Sequence, residues 1–152
     1  MKKHIISLFV LLSTLLTLVG CSSLKPQDII HNTVETSYHF WHNERQHERG
    51  IKFNIVIKGE RLNNIEVENI VVHGTTIPVE TKLVEPLDRD AVSTLYISAI
   101  YKEKKGKKEK TFKKVPNSLF GKDPYKNGIM NYSIKGKSDQ VEIKEFIFKT
   151  KG

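Results

Sequence analysis

The sequence predicts an all-β protein, a single antiparallel β-sandwich of about seven strands, immunoglobulin-like or related. Three observations lead there. Residues 50–59, "GIKFNIVIKG", place Ile51, Phe53, Ile55 and Ile57 on one face and Lys52, Asn54 and Lys58 on the other, with Val56 the one exception. That is the period-2 signature of a strand with one buried face. Further short apolar segments follow, separated by turn residues, and no strand–helix–strand rhythm interrupts them.

The segments justify themselves in order. In "TVETSYHFWH", Val34, Thr36, Tyr38 and Phe40 share a face. "NNIEVENIVVHG" is apolar at Ile65 and Val67, then at Ile70 and Val72, a change of phase that predicts a bulge near Glu68-Asn69. His73-Gly74 predicts a tight turn into "TTIPVET", where Pro78 argues for an edge strand. "STLYISAIYKEK" carries Leu95, Ile97, Ala99 and Tyr101 against Tyr96 and Ile100, the two-sided pattern of a central strand, and "EKTFKKV" is expected to return antiparallel to it. "GIMNYSIKG" and "DQVEIKEFIFK" predict a last hairpin around Gly136, with Met130, Tyr132, Ile134, Val141, Ile143, Phe146 and Phe148 in the core. Residues 115–128 form the longest irregular stretch, which Phe120 and Tyr125 are expected to pin to the sandwich edge.

The N-terminus has a different character. Met1-Lys2-Lys3 precedes an apolar run ending in "LTLVGCSS", the three-part pattern of an export signal. Ser7, Ser13, Thr14 and Thr17 shorten its strictly apolar part below the roughly 20 residues of a membrane span. Leu18-Val19-Gly20-Cys21 resembles the lipobox of bacterial lipoproteins. The resemblance implies removal of residues 1–20, a cleaved signal helix, and acylation of Cys21 as the new N-terminus. Two or three acyl chains make a lasting anchor where one is marginal. Ser22 in place of Asp implies the outer rather than the inner membrane. The expected organisation is a signal peptide over 1–20, a lipidated tether over 21–33 with a helical turn at "PQDIIHN", and the β-sandwich over 34–149. The mature part is similar to small uncharacterised β-sandwich lipoproteins of flavobacteria-like Gram-negative bacteria. The likeness runs through "SYHFWHNERQHERGIKFNI", "IVVHGTTIPV" and the last hairpin; it implies fold and location, with no activity attached.

Without residues 1–20 the chain keeps 132 residues, enough for one domain. Cys21 is the only cysteine, so the domain is expected to hold together by packing, with no disulfide. Losing Lys2 and Lys3 lowers the net charge from +8 to +6. In an envelope compartment that charge points to anionic headgroups or glycan phosphates, and no nucleic-acid partner is expected.

Residues 102–114, "KEKKGKKEKTFKK", hold eight lysines and two glutamates around Gly106. They predict a hairpin tip in which Lys104, Lys105, Lys107, Lys108 and Lys110 are solvated or meet an anionic surface. Only Phe112 interleaves, so base stacking is poorly provided for. "HFWHNERQHERG" holds His39, His42, Glu44, His47 and Glu48 but no HExxH pattern, and His39 and His42 fall on opposite faces of a strand. No metal and no other cofactor is expected; His42, His47 and Glu48 are the candidate ligands to check. Trp41 in this stretch is expected to cover one end of the domain. Glu85, Asp88 and Asp90 lack the glycine and final glutamate of a calcium loop and predict a surface turn.

No nucleophile elbow, phosphate loop or catalytic cysteine is present in the mature part, so the expected role is non-enzymatic. The chain is expected to be a lipid-anchored envelope protein, a binding or structural module with an envelope protein partner. An accessory subunit of a secretion or transport assembly is the alternative, and a metal- or glycan-dependent enzyme using the His39–Glu48 loop is a third.

Overall fold

The computed structural model describes residues 26–87, 91–113 and 115–150. Cys21 and the signal segment lie outside the described residues, as do Asp88 and Asp90 of the acidic turn. The chain is all-β, as its alternation predicts. A short helix α1 (Pro26–Asn32) leads into strands β1 (Thr33–Asn43) and β2 (Glu48–Gly59), and a single 3₁₀ turn follows at Leu62–Asn64. Then come β3 (Ile65–Val72), β4 (Thr75–Val84), β5 (Ser93–Lys104), β6 (Lys126–Ile134), β7 (Lys137–Glu145) and β8 (Ile147–Phe148).

The eight strands form one sheet in the order β7-β6-β3-β4-β5-β2-β1-β8, curled into a half-barrel. The two layers of a sandwich are here two halves of the same sheet. β4 joins them: Asn69↔Pro78 is its last pair with β3, and Val79↔Ala99 is its first with β5. Pro78 therefore marks no edge. It sits where the strand changes partners, a place where a missing N–H leaves the ladder least disturbed. All pairs are antiparallel except β1 with β8.

Local sequence signals set much of this. The register of β3 against β6 shifts between Val67 and Asn69, at the expected bulge. β3 and β4 are joined through His73 and Gly74, both with positive φ, and β6 and β7 through Lys135 and Gly136, likewise. These are two-residue turns of type I′, whose twist suits a hairpin. The β1–β2 turn is bracketed by Asn43, whose Oδ1 accepts from the Gln46 backbone N–H at 3.2 Å and whose amide donates to Gln46 Oε1 at 3.0 Å. β5 is flanked by β2 and β4, so no place remains beside it for a returning strand. Residues 109–115, expected to be that strand, are irregular among the described residues.

The core fills the concave face. Ile51, Phe53 and Ile57 are fully buried, with Ile55, Leu95, Ile97, Ala99, Ile70, Val72, Met130 and Tyr132 beside them. Each of the Ile, Leu, Val, Phe and Met side chains among these stabilises the fold by about 1.5–3 kcal/mol over an exposed one. Ile29 of α1 and Leu62 of the 3₁₀ turn are buried too, and α1 packs on β7, β2 and β1. The segment expected to be a tether over 21–33 is thus part of the domain from at least Ile29 onward. Leu119 and Tyr125 bury themselves at the other end, where Tyr125 Oη donates to the Leu119 carbonyl at 2.7 Å. Phe148, expected inside, is 49% exposed, and Phe40 is 40% exposed. They lie at the β1–β8 edge, where Phe148 flanks Tyr38 and Phe40 at 5.4 and 5.9 Å.

Trp41 lies against Gly50, its cross-strand partner, so closely that a Cβ there would sit 2.3 Å from the indole. Gly50→Ala is expected to swing the ring into solvent, red-shift its emission and cost about 1 kcal/mol. Trp41 is the only tryptophan, so fluorescence reads this directly; an unshifted spectrum would contradict the packing. Tyr132 Oη is buried and has no hydrogen-bond partner among the described residues, and burial, with the charge of Asp139, pushes its pKa up to about 12. Tyr132→Phe removes an unsatisfied group, so the urea midpoint is expected to hold or rise. A loss beyond about 1 kcal/mol would mean the hydroxyl is satisfied.

Candidate functional site

The open end of the half-barrel is closed by the segment between β5 and β6. It is held there by charged side chains in the inward register. Arg49 continues the face of Ile51 and Phe53 by one step, and Glu103 continues the face of Ala99 and Tyr101; the two residues are register partners across β2 and β5. Glu103 is 5% exposed. Its Oε2 accepts from Arg49 Nε at 2.9 Å and Nη2 at 2.6 Å. Its Oε1 accepts from Tyr101 Oη at 2.9 Å and from the Ser118 hydroxyl. Burial pushes this carboxyl up, but the hydrogen bonds from Ser118, Arg49 and Tyr101 and the Arg49 charge together outweigh it and hold it below the usual carboxylate range. Tyr101 is pushed up by burial and by its bond to Glu103.

The other side of Arg49 meets two aromatic rings. Its Cζ lies 4.0 Å from the centroid of Phe120 and 4.4 Å from that of Phe112. Each contact adds cation–π attraction to the ion pair. Ser118 Oγ also accepts from the Phe120 N–H at 3.2 Å, so one hydroxyl ties the loop to Glu103 and orients the ring. Between this loop and β2 opens a cleft of about 590 Å³. Arg49, Phe112, Lys113, Pro116, Ser118, Phe120 and Lys122 are among its lining residues. Guanidinium has five N–H donors and Glu103 takes two, so three remain available to the cleft that Arg49 lines.

The lysine run supplies the rest of this pole. Lys105 N donates to the His47 carbonyl at 3.0 Å, tying the end of β5 to the β1–β2 turn. Lys104 pairs with buried Glu48 at 2.7 Å, and Lys105 lies 5.6 Å from the Phe112 centroid. Lys107, Lys108 and Lys110 are exposed. Of the five lysines expected at an anionic surface, four are exposed, Lys104 among them while it pairs with Glu48, and Lys105 is partly buried.

The candidate metal ligands are not brought together. The His42 ring packs edge-on to Phe112 at 6.1 Å on the inner side, His47 occupies the turn with φ 52°, and Glu48 is held by Lys104. Among the described residues no three His, Cys, Asp or Glu side chains form a group that could hold a metal ion. Arg49, Glu103, Ser118, Lys113 and Lys122 were not singled out from the sequence. The signal was there for two of them, because Arg49 and Glu103 carry charge in the inward register of their strands.

Unfolded glutamate titrates near pH 4.3, and Glu103 titrates lower in the fold. Its contribution is therefore present above about pH 4.3 and is lost as pH falls through the folded value. Glu103→Gln is expected to lose about 3 kcal/mol at pH 7 and to converge on the parent at low pH. Urea melts at pH 7 and pH 3 check this; an equal gap at both would sink the ion-pair account. No protein-family model, curated protein or solved structure matches this chain, so the chemistry of the site stands on its own geometry.

Proposed function

We propose that this chain is a lipid-anchored cell-envelope protein, held in the outer rather than the inner membrane through acylated Cys21, whose β domain is a non-enzymatic binding module. The lipobox-like Leu18-Val19-Gly20-Cys21 supports the anchor. The domain begins close by: α1 starts five residues after Cys21 and carries core residue Ile29. The observation that carries the binding role is the cleft of Arg49, Phe112 and Phe120. It offers cationic donors and flat apolar walls, and its one hydroxyl, on Ser118, is already committed to Glu103. These are groups for recognition. They would serve a soluble ligand or an envelope protein partner through the same contacts.

The test is intact-mass analysis of the chain extracted from membranes, with density-gradient fractionation. The expected mass is that of residues 21–152 plus acyl chains, in the outer-membrane fraction, and Cys21→Ala is expected to abolish both the processing and the added mass. A chain that keeps residues 1–20 with unmodified Cys21 would overturn the anchor.

A further inference from the structure

We propose that the cleft beside Arg49 binds a phosphate monoester carried on a sugar. The inference rests on the binding-module reading and names its ligand class; it does not depend on the anchor. Three features carry it. Arg49 keeps three N–H donors, and its plane is fixed by Glu103 on one edge and by two phenyl rings. A guanidinium held in this way is preorganised for a tetrahedral oxyanion. Lys113 and Lys122 line the same cleft as mobile point charges, which suits a dianion better than a single carboxylate. Lys113 pairs with Glu109 at the surface, and a phosphate can compete with so exposed a pair.

The volume and walls argue for a body beyond the phosphate. About 590 Å³ far exceeds one phosphate, and Phe112, Val115, Pro116 and Phe120 provide apolar surface. Phe40, stacked on Phe120 at 5.9 Å and 40% exposed, extends that surface toward the β1–β8 edge. The C–H face of a pyranose packs on such rings while its hydroxyls stay in water. Asn117 at the cleft supplies an amide for one of them. The phosphorylated sugar can be free or carried by a glycolipid; the chemistry at the cleft is the same.

The test uses the full chain in non-ionic detergent, titrated calorimetrically with glucose 1-phosphate, inorganic phosphate and glucose. Saturable binding of glucose 1-phosphate is expected, with inorganic phosphate at least about tenfold weaker and glucose not bound. Lys113→Ser with Lys122→Ser is expected to weaken binding at least about tenfold. Lys107→Ser with Lys108→Ser, which removes equal charge away from the cleft, is expected to leave it unchanged. Both pairs are exposed, so thermal melts should match the parent. Neutral phosphatidylcholine vesicles carrying a phosphorylated glycolipid form a second arm. Binding in either arm that needs Lys113 and Lys122 supports the proposal, and the tighter arm identifies the source. It is overturned if neither glucose 1-phosphate nor the phosphorylated glycolipid binds, if inorganic phosphate binds as tightly, or if the two double variants lose binding equally. Intact mass reports on Cys21 alone and the titration on the cleft alone, so failure of one leaves the other readable.

Discussion

A single sheet has no second layer to cover its apolar face. It can bury that face only by curling, and a curled sheet is open at both ends. Most of this structure answers that constraint. The inner face is apolar along β2, β5, β3 and β6, while the outer face carries Lys52, Asn54, Lys58, Lys82 and Lys102. The ladder is interrupted at features with a physical cause, among them the bulge after Val67, of a kind that bends a strand, and the partner switch at Pro78. One open end is stopped by α1 and Leu62. The other is stopped by the segment between β5 and β6 through Leu119 and Tyr125, with Tyr125 meeting Tyr38 and Phe53 edge-on at 4.7 and 5.2 Å. The Phe146 N–H donates to the Tyr125 carbonyl at 2.9 Å, so this stopper also holds the point where β7 bends into β8.

The second stopper is irregular chain, and irregular chain has few ladder hydrogen bonds to fix it. Glu103 replaces them. A buried carboxylate is costly unless fully partnered. Here four donors converge on it, from β2, from β5 and from the loop itself. The loop is therefore tied to the sheet through Ser118. Arg49 is the counter-charge Glu103 requires, and it is too large to be covered completely; its side chain remains 30% exposed. The cleft follows from this packing problem. A charge needed to close the barrel leaves donors at the surface, between the rings that shield it.

The strands were legible wherever one face was plainly apolar. Ile51 to Ile57 gave both a strand and its inward side, and the phase change from Val67 to Ile70 gave the bulge. Strand order was not legible, because alternation says which side is buried and not which strand is adjacent. Pro78 shows the limit: its missing N–H argued for an edge strand, but the long-range pairing places it inside the sheet, where β4 changes partners. The site failed to show for a related reason. Arg49 at the end of a polar loop and Glu103 at the start of a lysine run each resemble solvated chain ends. They become a pair only when β2 and β5 are adjacent, 54 residues apart in sequence. Reading the alternation one step further along both strands would have flagged charge in the inward register.

The two stoppers also give the domain a direction. β2 runs from Glu48, beside the lysine loop, to Gly59, beside Asn32 of α1. Its 12 residues span about 36 Å. The link from Cys21 to Pro26 reaches at most about 17 Å when fully extended. An acylated Cys21 would thus keep the α1 end near the lipid, and a domain standing on that end would hold its cleft and its exposed lysines beyond reach of the same leaflet. Lys107, Lys108 and Lys110 would then face the aqueous side, away from the headgroups around the anchor. The same lysines on a domain lying flat would compete for the headgroups around the anchor. Tether length, as much as charge, therefore decides which anions this end of the protein can meet.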